Sequence, residues 1–180
     1  MAFDWKRFEL ELSEELRSAL KRFAKQHGEE HFYALALFGV YREVDGLLSL
    51  PSLGASSTEA GPRAVTPTSF WSARFNPADW SYELTLNRKT ALRLEKELTA
   101  EATRSTVTHW RAVETKYFDV LLTITSALRA DALALLACTD DFVCFWHDEE
   151  GGPELARKTI EKGLADRLFD RESAQARDGK

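Results

Sequence analysis

The run His31-Phe32-Tyr33-Ala34-Leu35-Ala36-Leu37-Phe38-Gly39-Val40-Tyr41 constrains this chain more than any other segment. Read as a strand, both of its alternating faces are apolar. Tyr33, Leu35 and Leu37 lie on one, and Phe32, Ala34, Ala36 and Phe38 on the other. Such a strand is stable where both faces of its sheet are covered. The chain must therefore build layers on two sides, and the small Ala34 and Ala36 leave room for a helix to approach closely.

The flanking segments supply those layers. Ahead of the strand, Trp5, Phe8, Leu12, Leu16, Ala19 and Phe23 recur at spacings of three and four, which predicts an amphipathic helix from Asp4 to His27. Asp4 fits the N-cap and Gly28 the C′ position, and Leu10 falls off the stripe. After the strand, Asp45-Gly46 signals a turn and Leu47–Leu50 reads as the second arm of a β-hairpin that ends at Pro51.

Residues 51–69 carry three prolines and several Gly, Ser and Thr, so they read as a long loop. Ser56-Ser57-Thr58-Glu59 fits one helical turn within it. Asn76-Pro77 then opens a short turn through Trp80, and Tyr82–Leu86 reads as a short strand.

Further on, Ala91, Leu94, Leu98 and Ala102 mark one helix, capped by Asn87. Val107, Trp110, Val113, Tyr117, Leu121, Ile124 and Leu128 mark a longer one, which Ala130–Ala137 extends. Phe142-Val143-Cys144-Phe145-Trp146 reads as a buried strand. A last helix follows Gly151-Gly152-Pro153, with Ala156, Ile160, Leu164 and Leu168 facing inward. The order α-β-β-loop-α-α-β-α implies an α+β fold with a small, mainly antiparallel sheet covered by helices. At 180 residues the chain is expected to form one domain over 1–170, with 171–180 a polar, frayed tail.

Composition narrows the function classes. The net charge of −5 opposes general nucleic-acid binding, which depends on clustered Lys and Arg. No stretch approaches the roughly 20 apolar residues that span a bilayer, and the charged N-terminus does not read as a signal peptide. The two cysteines, Cys138 and Cys144, read as reduced, buried thiols of a cytoplasmic protein. No phosphate loop, dinucleotide fingerprint, nucleophile elbow or His-Glu-x-x-His motif is present, so no cofactor, metal or catalytic residue is expected.

Two constellations remain. The aromatic stretch Phe70-Trp71-Ser72-Ala73-Arg74-Phe75-Asn76-Pro77-Ala78-Asp79-Trp80-Ser81-Tyr82-Glu83 either packs under the 51–69 loop or presents a recognition patch. As a patch, Trp71, Arg74, Trp80 and Tyr82 are the candidate partner contacts. His147-Asp148-Glu149-Glu150 is an acidic turn leaving a strand. With Asp79, His147 and Asp148 form an alternative polar site for a small-ligand binder or an enzyme. Cys144 and His147 are three apart on a strand and point to opposite faces, so they cannot share a zinc ion unless the strand breaks between them.

The hairpin segment from His31 through Leu53 with its Ser57-Thr58-Glu59 sequel, the segment Arg74-Phe75-Asn76-Pro77-Ala78-Asp79-Trp80, and Trp146-His147-Asp148 with Gly151-Gly152-Pro153-Glu154 together resemble the bacterial family known as domain of unknown function 4303. The resemblance covers the chain from the first helix to Phe169. Its R-W-x-P-x-x-W element is matched here except that Phe75 stands in place of the first Trp, so no role tied to that indole carries over. The resemblance implies no activity residue by residue. By analogy with small bacterial α+β families that accompany toxins, it suggests an immunity protein. The leading expectation is thus a cytoplasmic, non-enzymatic protein-binding module with a toxin-like partner. A structural or oligomerisation module is the remaining alternative, and the oligomeric state is open.

Overall fold

A computed structural model of the chain describes residues 2–60, 75–148, 150, 152–160 and 164. The central run is strand β1 (His31–Phe38). It pairs antiparallel with β2 (Ser52–Ser57), which pairs antiparallel with β3 (Tyr82–Leu84). On its other side β1 pairs parallel with β4 (Ala137–Trp146). The order is β3-β2-β1-β4, a mixed sheet with one parallel pair.

Both faces of the sheet are covered. Helix α1 (Trp5–Gln26) starts at Asp4, whose carboxylate accepts from the Arg7 N–H at 3.0 Å, and buries the predicted stripe from Phe8 to Phe23. With α2 (Arg88–Ala102) and α3 (Val107–Leu135) it packs on Phe32, Leu35, Leu37, Leu53, Ala55, Cys144 and Trp146. Helix α4 (Gly152–Thr159) sends Ala156, with Ile160 and Leu164 beyond it, onto Tyr33, Ala34, Ala36, Val143 and Phe145. Leu10 is exposed, as its place off the stripe requires. Val107, expected on the α3 seam, is exposed at the start of that helix.

Strict alternation along β1 fails at one point. Pairing shifts between Phe32 and Ala34: Phe32 meets Cys138 but Ala34 meets Val143, so Thr139–Phe142 stand opposite Tyr33 alone. This bulge breaks the two-residue period. Phe32 joins Leu35 and Leu37 beneath the three helices, and Tyr33 joins Ala34 and Ala36 beneath α4. Phe32 and Tyr33 thus face the reverse of the alternating pattern.

The hairpin is also longer than Asp45-Gly46 suggests. Leu47–Leu50 makes only the isolated bridge Arg42↔Leu48, and the true partner strand lies beyond Pro51. Ser56 and Ser57 belong to that strand and not to a helical turn. The segment Ser-Leu-Gly-Ala-Ser-Ser at 52–57 has few β-forming side chains, so tertiary fit selects it over propensity. At Gly54 an added Cβ would sit 3.0 Å from Phe38 Cε1 and 3.3 Å from Trp80 Cε3. The remainder of the predicted loop, 61–69, and the tail 171–180 lie outside the described residues, as does Leu168.

Candidate partner-binding surface

The segment between β1 and β2 forms a folded arm. Gly39 turns the chain off β1 at φ +69°, a conformation that glycine adopts without steric cost. Asp45 takes the tip at φ +62°, which Asp tolerates better than most residues. Gly46 N–H donates to the Glu43 carbonyl at 2.7 Å, Glu43 N–H to Leu47 at 2.9 Å, and Ser49 N–H to Tyr41 at 3.0 Å. These bonds account for the arm's own backbone pairing.

Four side chains from α2 and α3 then fix the arm to the body. Trp110 Nε1 donates to the Gly46 carbonyl at 3.1 Å, and Tyr117 Oη to the Ser49 carbonyl at 3.0 Å. Leu48 N–H reaches Thr99 Oγ1 at 3.2 Å, and Leu50 N–H reaches Glu95 Oε2 at 3.2 Å. Leu48 and Leu50 are buried in the main core, and Trp110 and Tyr117 are fully buried beneath them. The buried polar groups that anchor the arm are paired, as burial demands. The outer side is different: Tyr41 is 59% and Val44 51% exposed, beside exposed Glu43 and Asp45.

Arg42, unlike its exposed neighbour Tyr41, is largely buried. Its guanidinium, only 10% exposed, lies 3.0 Å from Asp148, 3.0 Å from Glu150 and 3.7 Å from Glu114. It also sits 5.1 Å above the Phe118 ring, which meets Trp146 edge-on at 4.5 Å. Asp148 is buried and follows the end of β4, so the cluster joins the C-terminal ends of the parallel pair β1 and β4. Burial pushes the Glu114 carboxyl above its ordinary range, and Arg42 and Arg111 offset this only in part. Gly39, Val40, Tyr41, Arg42, Asp148 and Glu150 together line a depression of about 280 Å³. Trp146 Nε1 is buried with no hydrogen-bond partner among the described residues.

The predicted contacts distribute as follows. Trp71 and Arg74 lie outside the described residues. Trp80 is half-buried and meets Phe145 edge-on at 5.9 Å over the Gly54 notch. Tyr82 is half-buried, packs on Phe23 and His27, and donates its hydroxyl to Glu30 at 2.9 Å. Among the alternative polar residues, Asp148 belongs to the Arg42 cluster. His147 precedes it and donates its backbone N–H to the Leu37 carbonyl at 2.8 Å. Asp79 accepts from the Asn76 side chain at 2.8 Å in the 3-10 turn Pro77–Asp79 and does not line the depression beside Asp148.

A second polar centre closes the opposite end of the sheet. Glu30 accepts from Ser57 Oγ at 2.6 Å and from the Tyr82 hydroxyl, and His27 Nδ1 lies 2.8 Å from it. The Ser57 bond above all holds its carboxyl below the usual range. Nearby, the His31 backbone N–H draws the exposed Glu59 carboxyl down to about 2. These bonds tie α1, β1, β2 and β3 together.

Among the described residues no group of three His, Cys, Asp or Glu side chains is placed to hold a metal ion. No described helix is long and apolar enough to cross a membrane. Both cysteines are free thiols: Cys144 is buried, Cys138 partly so, and burial pushes them up to about 12 and about 11. Comparison with family models, with curated proteins and with solved structures returned no match to this chain.

The local signal for the arm, Asp45-Gly46, describes only its tip. Nothing in the sequence pairs Arg42 with an Asp 106 positions away. Tyr41 appeared there as the last apolar residue of a strand, but Gly39 turns the chain first and leaves it outside.

Proposed function

We propose that this chain is a non-enzymatic protein-binding module and that the arm from Gly39 to Leu50 is the surface it offers. One observation carries the reading. Four side chains from two helices hold the arm's inner backbone, while Tyr41 and Val44 are left in water. An exposed aromatic contributes little to the core, and a rigid backbone beneath it lowers the entropy lost on association. Tyrosines held this way are frequent anchors at interfaces. The reading moves the anchor from Trp80 and Tyr82, whose contacts serve the sheet, to Tyr41 and Val44.

The finer form, a cytoplasmic bacterial immunity protein with a toxin-like partner, rests on the resemblance to the domain of unknown function 4303 family. The test is photo-crosslinking in the native host. A photoreactive residue at position 41 or 44 should capture one protein, and the same residue at Leu10, exposed on α1, should capture none. Equal capture from position 10, or no adduct from 41 and 44, contradicts the reading. Protection of cells from that protein's toxicity by the chain would establish the immunity form; its absence would remove it.

A further inference from the structure

Deepening the docking reading, on which it rests, we propose that the partner meets this surface with an arginine side chain, seated in the depression between Tyr41 and the carboxylates of Asp148 and Glu150 that follow β4. The charges around the arm select that group. Arg42 lies 3.0 Å from Asp148, 3.0 Å from Glu150 and 3.7 Å from Glu114, so three carboxylates share it. A carboxylate accepts about four hydrogen bonds. Glu150, with 81% of its side chain in water, therefore keeps acceptor capacity that Arg42 does not use. On the arm itself, Glu43 and Asp45 are exposed and have no ion-pair partner among the described residues. The exposed apolar pair Tyr41 and Val44 is thus bordered by uncompensated negative charge.

A neutral or acidic partner would have to desolvate these carboxylates without pairing them. A basic partner pairs them and gains a faster encounter with an acidic chain. Guanidinium fits better than ammonium for two reasons. It can meet Glu150 through two N–H groups at once, and its flat face can lie on the Tyr41 ring, which lines the same depression. Arg42 already shows the pairing in miniature, its guanidinium over Phe118 and between carboxylates.

The experiment titrates the full-length, isotope-labelled protein with three short peptides, Ac-Gly-Arg-Leu-Gly-NH2 and its lysine and citrulline counterparts, and follows amide shifts. Citrulline keeps the shape of arginine and lacks the charge. The arginine peptide is expected to give saturable shifts confined to Gly39–Asp45, His147, Asp148 and Glu150. Its affinity should exceed that of the citrulline peptide by about tenfold and that of lysine by a smaller factor. Glu150→Gln should weaken the arginine peptide and leave the citrulline peptide unchanged.

Equal affinity for the citrulline or lysine peptide overturns the inference, as does the absence of saturable shifts at these residues. The docking reading fails separately. If the citrulline peptide binds the arm as tightly as arginine, and Tyr41→Ala removes both, the surface stands and the charge selection falls. If the peptides shift residues elsewhere, both fall.

Discussion

Replacing Arg42 with methionine removes the cation and keeps most of the side chain's length. Asp148 is 6% exposed and the Glu114 side chain 16%, so both carboxylates lose their nearest partner in a poorly solvated place. Breaking a buried pair by removing one member costs about 3–5 kcal/mol. Glu150, almost wholly in water, adds little to that sum because exposed pairs are worth about 0–1 kcal/mol. A second guanidinium, that of Arg111, lies 3.9 Å from Glu114 and is itself largely exposed, which sets the loss near the lower end, about 3 kcal/mol.

For a domain of this length that corresponds to a fall of about 6–12 °C in Tm. Urea denaturation at pH 7.5 reads it directly. The loss should shrink at pH 5. A carboxyl whose folded pKa lies above its unfolded value, as that of Glu114 does, favours the fold at low pH and loses that contribution as pH rises through the folded pKa. Removing Arg42 enlarges that effect. Adding Asp148→Asn to the methionine variant should recover part of the stability. A loss below about 1 kcal/mol at pH 7.5, the value for exposed pairs, or one that does not change with pH, refutes the reasoning.

At the opposite end of the sheet, Glu30→Gln should destabilise by about 2 kcal/mol, since hydrogen bonds to a charged group are each worth about 1.5–3 kcal/mol and Glu30 retains some solvent; thermal melts measure it. Because folding lowers the Glu30 and Glu59 carboxyls, the stability they give is present above the ordinary carboxylate range and is lost as pH falls through their folded values, about 2 for Glu59. A plot of Tm against pH should therefore fall below pH of about 4.5 in the wild type and less steeply in Glu30→Gln. At pH 8 a thiol reagent should label Cys138 slowly and Cys144 only on unfolding, because burial holds their thiols near about 11 and about 12. Rapid labelling of two thiols in the native protein would contradict this placement.

The sequence exposed what local chemistry determines. The apolar periods of α1, α2 and α3, the caps at Asp4 and Asn87, and the Asn76-Pro77 turn depend on neighbours within a few positions, and the structure places them as read except for Val107 at the start of α3. The two-faced strand correctly demanded helices on both sides. Long-range pairing was hidden. The bulge opposite Tyr33 depends on how β4 aligns, and no pattern within His31–Phe38 encodes that. The strand Ser52–Ser57 looks like a loop because Gly54 leaves room for Phe38 and Trp80, and Ser56 and Ser57 bond Tyr33 and Glu30 across the fold. Of the candidate site, Asp148 was visible as part of an acidic turn. Arg42, its partner, carries no local signal between Tyr41 and Glu43, since only the folded arm turns it inward.

The central claim, that the arm is the surface the chain offers, is tested most directly by the affinity of the protein captured at position 41 for purified wild type and for Tyr41→Ala. Interface anchors of this type cost about 2 kcal/mol or more on truncation, so the variant should bind at least roughly thirtyfold more weakly while its thermal melt stays unchanged. A variant that binds as tightly as the wild type and melts at the same temperature contradicts the claim.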